Sequence, residues 1–218
     1  MRAMAGEIFV VASIAPDLAG LRSFLGEKLD GAVRGMAVRT KVIGLGLASA
    51  AAATARGLLA VQPRAVILVG TCGVYPGLSQ YRPLDVVVPA RVQLVDPTTL
   101  AGRAELPSPL QTKIECAPML VAGLNAARPR PFAPTVSSMI GRISDDALAA
   151  AIPGQTGCEA DNPEAFAVAT ACLAANVPFS AILGVANLVG SVGLKDWQQF
   201  QREAVTQAGN VLGGWLHG

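Results

Sequence analysis

The alternation of strand-like and helix-like segments constrains the fold of this chain more than any other feature. Short runs rich in Val, Ile and Ala alternate with longer runs of helical spacing along all 218 residues. This alternation is typical of a mostly parallel sheet covered by helices. We predict strands at residues 8–12, 37–43, 65–69, 85–94, 133–140 and 179–185, and helices at residues 17–29, 48–61, 118–127, 145–151 and 164–175.

Two helices have clear sequence signatures, the one at residues 164–175 and one at the end of the chain. Asn162, Pro163 and Glu164 form a typical helix start, because Asn can cap, Pro favours the first helical position and Glu suits the positive end of the helix dipole. The last segment of the chain has apolar residues at three- and four-residue spacing, which predicts a helix packed on the sheet. These apolar positions are Trp197, Phe200, Ala204, Ala208, Val211, Leu212 and Trp215.

No internal repeat or flexible linker divides the sequence, so we expect residues 1–218 to form one domain. The expected architecture is α/β, with three αβα layers built on a mixed, mostly parallel central sheet flanked by helices. A proline-broken loop at residues 96–109 is long enough for a lid or a subunit contact, and a plain surface excursion is an equal alternative.

Composition and charge exclude several classes of partner. The net charge of +2 comes from scattered Lys and Arg, which form no basic stripe for a nucleic acid. The apolar stretches are too short or too interrupted to span a bilayer, and the first residues lack a signal-peptide cleavage pattern. Four cysteines without a CxxC pair suit reduced thiols better than a disulfide frame or a zinc site. We therefore expect a cytoplasmic protein that binds no structural metal.

Three segments at predicted strand ends contain the candidate chemistry, since open α/β sheets bind ligands beyond the carboxyl ends of their strands. Residues 66–77 read VILVGTCGVYPG, where Gly73 permits a close backbone approach and Thr71 offers a hydroxyl. Residues 159–166 read EADNPEAF, and residues 183–190 read LGVANLVG.

In order and spacing, these three segments resemble the nucleoside phosphorylase and nucleosidase family. Its members carry a Gly-Ser/Thr-x-Gly turn, a later Met-Glu helix start, and Ser-Asp or Ser-Asn after the final strand. The segment 73–77, the segment 187–190 and Trp197 look most like the futalosine hydrolase branch, beside the methylthioadenosine/adenosylhomocysteine nucleosidases. Pro163 replaces the usual Met, and residues 185–186 read Val-Ala instead of Ile-Ser.

The resemblance implies cleavage of the N-glycosidic bond of a purine nucleoside or a futalosine-like compound, without a cofactor, by a homo-oligomer. Glu164 would accept hydrogen bonds from the ribose 2′ and 3′ hydroxyls, or serve only as a helix-start carboxylate. Asp17 would orient or deprotonate the attacking water, or only favour the first turn of a helix. Asn187 would donate a hydrogen bond to the departing base but cannot act as an acid, or would only form a turn.

The remaining candidates concern the nucleophile and the base. Thr71 would bond water, phosphate or ribose beside Gly73. Phosphorylases of the family commonly have an Arg three residues ahead of this hydroxyl, where this sequence has Leu68, so water is favoured unless another arginine holds phosphate. Candidates for that arginine are Arg39, Arg82 and Arg91. The segment Ser138, Met139 and Ile140 falls where relatives line the base pocket, although Met and Ile there are more often core.

Other functions stay open as alternatives. The only histidine, His217, is the penultimate residue, which argues against Ser-His or Cys-His catalysis. The segment 44–49, GLGLAS, faintly resembles a dinucleotide fingerprint but lacks its third glycine, so a nicotinamide enzyme is a remote alternative. Hydrolysis is the leading hypothesis and phosphorolysis the first alternative. A nucleoside-binding protein without turnover is the second, motivated by Asn187, Pro163 and the missing arginine.

Overall fold

In the computed structural model, which describes residues 6–127 and 132–218, ten strands form one mixed sheet flanked by helices, so the predicted fold class is confirmed. The strands are β1 Glu7–Ala12, β2 Gly31–Val33, β3 Met36–Val42, β4 Ala65–Val74, β5 Val86–Val87, β6 Arg91–Leu94, β7 Lys113–Glu115, β8 Thr135–Ser138, β9 Cys158–Asp161 and β10 Phe179–Leu188. The helices are α1 Arg22–Leu25, α2 Leu47–Val61, α3 Pro97–Leu100, α4 Pro118–Ala126, α5 Asp146–Thr156, α6 Ala165–Ala174 and α7 Gly193–His217.

Strand β4 is the centre of the sheet. The strand order is β2-β3-β1-β4-β9-β8-β6-β7, and β10 pairs with both β4 and β5. β4 pairs in parallel with β1 and β10, and its last two residues, Gly73 and Val74, pair antiparallel with β9. The end of β4 is therefore held between β10 and β9, and this is where the parallel strands present their carboxyl ends.

Both faces of the sheet are covered by apolar helices. On one face, α2 and α6 pack over alternate residues of β4 such as Val66 and Leu68. On the other face, α7 and the 3₁₀ helix Ala15–Leu21 pack over Ile67 and Val69. A smaller cluster around Tyr75, Met139 and Ile152 lies beyond the strand ends. Because helices cover both faces of β4, its residues are buried on both sides and its sequence is a continuous apolar run.

Helix α7 lies close to β10 of the sheet and to the 3₁₀ helix Ala15–Leu21, because glycines leave room for its backbone. A Cβ added at Gly184 of β10 would lie 2.1 Å from the carbonyl oxygen of Ala204, and one added at Gly209 would lie 2.7 Å from the Gly20 backbone. Apolar positions predicted for this helix, including Ala204, Ala208 and Leu212, are fully buried. The predicted packing of the terminal helix on the sheet is therefore confirmed.

Several predicted element boundaries were wrong. The helix predicted at 17–29 is a 3₁₀ helix followed by the single turn α1, which ends where Gly26 adopts a φ of 72°. The strand predicted at 85–94 is divided into β5 and β6 by a stretch containing Pro89, which has no N–H for the ladder. β4 and β10 extend past their predicted ends, to Val74 and Leu188, because the last residues of the two strands pair with each other. The short elements β2, β7, β9 and α3 were not predicted.

The first residues of the chain, on which the expectation of no signal peptide rests, lie outside the described residues. Across residues 6–127 and 132–218, none of the helices combines the length and the hydropathy that a bilayer span requires. The four cysteines are buried and unpaired by disulfides.

Candidate active site

A cavity of about 200 Å³ opens at the carboxyl ends of β4 and β10. Strand ends, the start of α7 and the loops after β8 and β9 supply its walls. The lining residues are Thr71, Cys72, Gly73, Arg142, Ile143, Asp161, Pro163, Asn187, Val189, Gly190, Gly193, Leu194 and Trp197. The three sequence segments that suggested the family therefore meet at one place. Small-molecule pockets commonly measure roughly 300 Å³ or more, so this cavity suits part of a nucleoside rather than all of it.

Three paired residues form the floor of the cavity. Asn187 of β10 pairs with Gly73 of β4, and Gly73 pairs in turn with Asp161 of β9. Paired residues in neighbouring strands direct their side chains to the same face of a sheet. A Cβ at Gly73 would lie 2.7 Å from Asn187 Nδ2, so glycine is needed for the amide to occupy this space. We call these residues the Asn187–Gly73–Asp161 row.

The start of α7 closes one wall of the cavity through Trp197. Its indole Nε1 donates a hydrogen bond to Thr71 Oγ1 over 3.1 Å. This bond engages one lone pair of the Thr71 oxygen and leaves the hydroxyl hydrogen and the other lone pair for a ligand. Thr71 therefore remains able to bond water, ribose or phosphate, which keeps its predicted role open.

Glu164 is held at the start of α6 by a side-chain cap. Asn162 Oδ1 accepts hydrogen bonds from the backbone N–H groups of Glu164 at 3.1 Å and Ala165 at 2.8 Å. The predicted Asn cap therefore forms, but on the turn that leads into α6, because the helix itself begins at Ala165 and not at Pro163. Asn162 Nδ2 also donates to the Thr71 carbonyl over 2.9 Å, which ties the helix start to β4. Glu164 itself is buried, and its Oε1 accepts the Gly46 N–H over 2.8 Å. Among residues 6–127 and 132–218, no hydrogen bond engages its second oxygen, which is available for a ligand hydroxyl.

Asp17 lies near Glu164, on the 3₁₀ helix that follows β1. The side chain is buried, and its Oδ2 is 3.6 Å from the position of a Cβ added at Gly70 of β4. The pKa of Asp17 is raised to about 7. Burial is the largest cause, a backbone hydrogen bond at Ile14 opposes the shift, and the charge of Glu164 adds to it. Near neutral pH this carboxyl can therefore both accept and release a proton.

A second carboxyl with a perturbed pKa is Asp161, which the sequence analysis did not select. Its Oδ1 is 3.0 Å from Ser137 Oγ, a hydroxyl that also lies 2.7 Å from the Tyr75 hydroxyl oxygen. Burial raises the pKa of Asp161 to about 7; the Ser137 hydrogen bond opposes the shift, and the charge of Glu164 adds to it. Asp17, Asp161 and Glu164 thus form a group of carboxyls in which each aspartate feels the charge of Glu164.

The structure brings together some of the predicted site residues and separates others. Thr71, Gly73 and Asn187 line the cavity, while Asp17 and Glu164 lie close to each other outside its lining. The segment 138–140 does not contribute to the lining. Ser138 Oγ donates to the Asn162 carbonyl and accepts the Phe166 N–H, Met139 is buried in the small apolar cluster, and Ile140 is 93% exposed.

Arg142 is the arginine that lines the cavity, and it was not among the arginines predicted to hold phosphate. Its Nη1 donates to the Gly190 carbonyl over 3.3 Å. The three arginines suggested as phosphate ligands lie elsewhere: Arg39 pairs with Glu7, Arg91 pairs with Glu115, and Arg82 is exposed in a loop. Arg142 follows β8 in a loop with no distinctive motif, so no sequence signal pointed to it.

Comparison with known proteins identifies the family. The sequence profile of the phosphorylase superfamily matches residues 21–216. The chain belongs to the phosphorylase superfamily. The predicted family is thereby confirmed, and with it the predicted enzyme class of nucleosidase or nucleoside phosphorylase. None of the curated proteins searched matches the chain in sequence.

Solved structures of futalosine hydrolase and of methylthioadenosine/adenosylhomocysteine nucleosidases share the fold along nearly the whole chain. Futalosine hydrolase of Helicobacter pylori superposes with a TM-score of 0.86 at 13% identity, covering 97% of each chain. The methylthioadenosine/adenosylhomocysteine nucleosidase of Neisseria meningitidis, bound to methylthio-immucillin-A, gives 0.81 at 20% identity and covers 97% of this chain and 98% of its own. The Colwellia psychrerythraea nucleosidase, bound to adenine, gives 0.82 at 18% identity over 99% and 96%. The last two of these structures are complexes, one with methylthio-immucillin-A and the other with adenine.

Proposed function

We propose that the protein is a nucleosidase that uses water to cleave the N-glycosidic bond of a purine nucleoside or a futalosine-like compound. The observation that carries the proposal is the pair of buried carboxyls, Asp17 and Glu164, next to a cavity at the strand ends. Breaking this bond builds positive charge on the sugar, and buried carboxylates stabilise such a charge more strongly than water does.

Glu164 and Asp17 take different roles in this reaction. The Gly46 N–H fixes one oxygen of Glu164, so the other can accept hydrogen bonds from the ribose hydroxyls. Asp17 acts on water, because a general base works best when its pKa is near the operating pH and burial raises the pKa of Asp17 to about 7. The cavity itself then receives the base, with Asn187 as a hydrogen-bond donor on its floor.

Water is favoured over phosphate as the nucleophile, because Arg142 is the one cationic side chain in the lining formed by the described residues. Leu68 is buried in the sheet and offers no charge where phosphorylases commonly carry an arginine. Phosphorolysis remains the second candidate because Arg142 lines the cavity and could hold phosphate. The same guanidinium could instead bind an acceptor on the substrate, such as a 6-oxo group or a carboxylate.

The test is chromatographic detection of free base from purine nucleosides, methylthioadenosine, adenosylhomocysteine and futalosine, each with and without phosphate. Glu164→Gln removes the charge but keeps an oxygen for the Gly46 N–H, and we expect it to lower kcat/KM by about 100-fold or more. Glu203→Gln, an exposed change on α7, is the matched control and should stay within about twofold.

Three results would change the assignment. Base release that requires phosphate makes the protein a phosphorylase. Nucleoside binding measured by calorimetry, without base release under either condition, makes it a binding protein. Equal activity of the wild type and Glu164→Gln contradicts the proposed ribose contact.

The homo-oligomer and the cytoplasmic location stay predictions. Sedimentation velocity at micromolar concentration tests the first, and a species of monomer mass alone would contradict it. Fractionation of the source cells tests the second.

A further inference from the structure

The two ends of the Asn187–Gly73–Asp161 row differ in their ability to donate a proton. Asn187 at one end has an amide, and Asp161 at the other end has a carboxyl. Asn187 can donate hydrogen bonds but cannot release a proton, and its Nδ2 already donates to the Leu188 carbonyl over 2.8 Å. Asp161 lies on the opposite side of Gly73, on the same face of the sheet and in the lining of the same cavity. A base above Gly73 would therefore be flanked by an amide and a carboxyl.

The hydrogen bonds of Asp161 fix its orientation and leave one oxygen available. Ser137 Oγ contacts Oδ1 and is itself held by the Tyr75 hydroxyl and the Ala160 carbonyl, at 2.7 Å and 3.0 Å respectively. Ser137 is fully buried, so this contact anchors the carboxyl from below the cavity floor. Within the part of the chain that the structure describes, Oδ2 has no hydrogen-bond partner and remains available to a ligand.

The surroundings of Asp161 favour its protonated form. Burial is the main cause that raises the pKa of Asp161 to about 7, and the charge of Glu164 at the start of α6 contributes. Three other titratable groups interact with it: Cys72 on β4, Tyr75 after β4 and Cys158 on its own strand. Each has a pKa raised first by burial and also by the charge of Asp161. These groups stay neutral around pH 7, and Arg142 is the cation that lines the same cavity.

We infer that Asp161 is the general acid of the proposed hydrolysis and protonates the departing base from the opposite side of Gly73 to Asn187. The inference rests on the proposed function. Asp17 and Glu164 do not compete for this role, because they lie near Gly70 and Gly46 and outside the cavity lining. In this arrangement Asp161 acts on the nucleobase, Glu164 binds the sugar and Asp17 acts on the attacking water.

The reaction balances with water as the only co-reactant. The bond from C1′ to the base nitrogen breaks and its electron pair stays with the base. The Asp161 carboxyl transfers its proton to a ring nitrogen of the base and becomes a carboxylate. Water bonds to C1′ and gives its proton to the Asp17 carboxylate. Exchange with solvent then returns a proton to Asp161 and removes one from Asp17.

The experiment compares two substrates that differ in their need for an acid. One is the nucleoside found most active in the panel above, and the other is nitrophenyl ribofuranoside, whose nitrophenolate departs without a proton. We expect Asp161→Asn to lower kcat on the nucleoside by about 100-fold and on the nitrophenyl substrate by less than about threefold. Asp196→Asn, on the first turn of α7, is the control and should leave both unchanged.

Two further readouts separate an acid from a structural residue. The loss of kcat with rising pH near 7 should disappear in Asp161→Asn, because the group that must be protonated is gone. In the double variant Asp161→Asn with Asn187→Asp, a carboxyl returns to the row, and we expect at least tenfold recovery on the nucleoside. Retained cleavage of the nitrophenyl substrate shows that each variant folds.

Equal losses on both substrates, or no loss on the nucleoside, would overturn the acid role while leaving the proposed hydrolysis intact. A wild-type protein that cleaves neither substrate overturns the proposed function and the acid role together. The two failures are therefore distinguishable by the wild-type measurement alone.

Discussion

The substitution Asp17→Asn should stabilise the protein at alkaline pH while it removes activity. Asp17 is buried, and burial, supported by the charge of Glu164, raises the pKa of its carboxyl from 3.8 to about 7. Because this folded-state pKa lies above that of the unfolded chain, ionisation penalises the native state. The contribution of Asp17 to stability is therefore most favourable below about pH 4, falls as the pH rises from about 4 to about 7, and changes little above that range. An amide has almost the same shape and no charge, so it escapes the penalty.

The size of the effect follows from the pKa difference. A shift of about 3 units at about 1.4 kcal/mol per unit gives a ceiling of about 4 kcal/mol at pH 8. At pH 5 the same treatment gives about 1.5 kcal/mol, since the penalty has only begun to develop. The difference between the two pH values, about 2 to 3 kcal/mol, is independent of how well the Asn amide packs. For a domain of this size it corresponds to roughly 4–12 °C in Tm.

The assay is denaturant or thermal unfolding of the wild type and Asp17→Asn at pH 5 and pH 8 at a fixed protein concentration. Glu105→Gln, an exposed change from carboxyl to amide, is the control and should alter stability by less than about 0.5 kcal/mol at either pH. The expected result is a gain in stability that is larger at pH 8, together with loss of base release. An equal effect at both pH values would refute the reasoning, because it would show that Asp17 is ionised throughout.

The remaining predictions concern the framework of the site. Asn162→Ala removes two hydrogen bonds to N–H groups at the start of α6 and one to the Thr71 carbonyl of β4. We expect unfolding at lower denaturant, with a loss of about 2–4 kcal/mol, and a loss below about 0.5 kcal/mol would contradict the cap. Gly184→Ala places a methyl 2.1 Å from a backbone oxygen of α7 and should prevent the soluble, folded protein from accumulating. Gly154→Ala, in α5 with no atom within 4 Å of the new methyl, is its counterpart and should be neutral or raise Tm slightly.

The parts of the fold predicted from sequence are those specified by local patterns. The α/β alternation, the apolar face of α7 and the cap at Asn162 all depend on residues close together in the chain. By contrast, β9 is only four residues long and reads CEAD, an alternation of apolar and polar residues that is too short to distinguish a strand from a loop. It exists as a strand because β8 and the end of β4 pair with its two edges, and pairings of this range cannot be read from one short segment.

The candidate site could likewise be predicted only where its residues belong to a local sequence pattern. Thr71, Gly73 and Asn187 were selected because they lie in segments with a recognisable order and spacing, and they do line the cavity. Asp161 was passed over because its significance depends on register: it lies opposite Gly73 only once β9 has formed. Arg142 was missed because a loop residue has no periodicity from which its direction could be inferred.

The contact between α7 and the sheet has a consequence for altering the substrate range. The helix is about 37 Å long, and its middle is held where Gly184 allows backbone contact with β10 and Gly209 allows backbone contact with the 3₁₀ helix. Its first turn projects beyond those contacts, where Leu194 and Trp197 form part of the cavity wall while the solvent side stays open. Mutational libraries at these two positions would vary the wall without disturbing the interior. Libraries at the pinned glycines would return mainly inactive, misfolded chains.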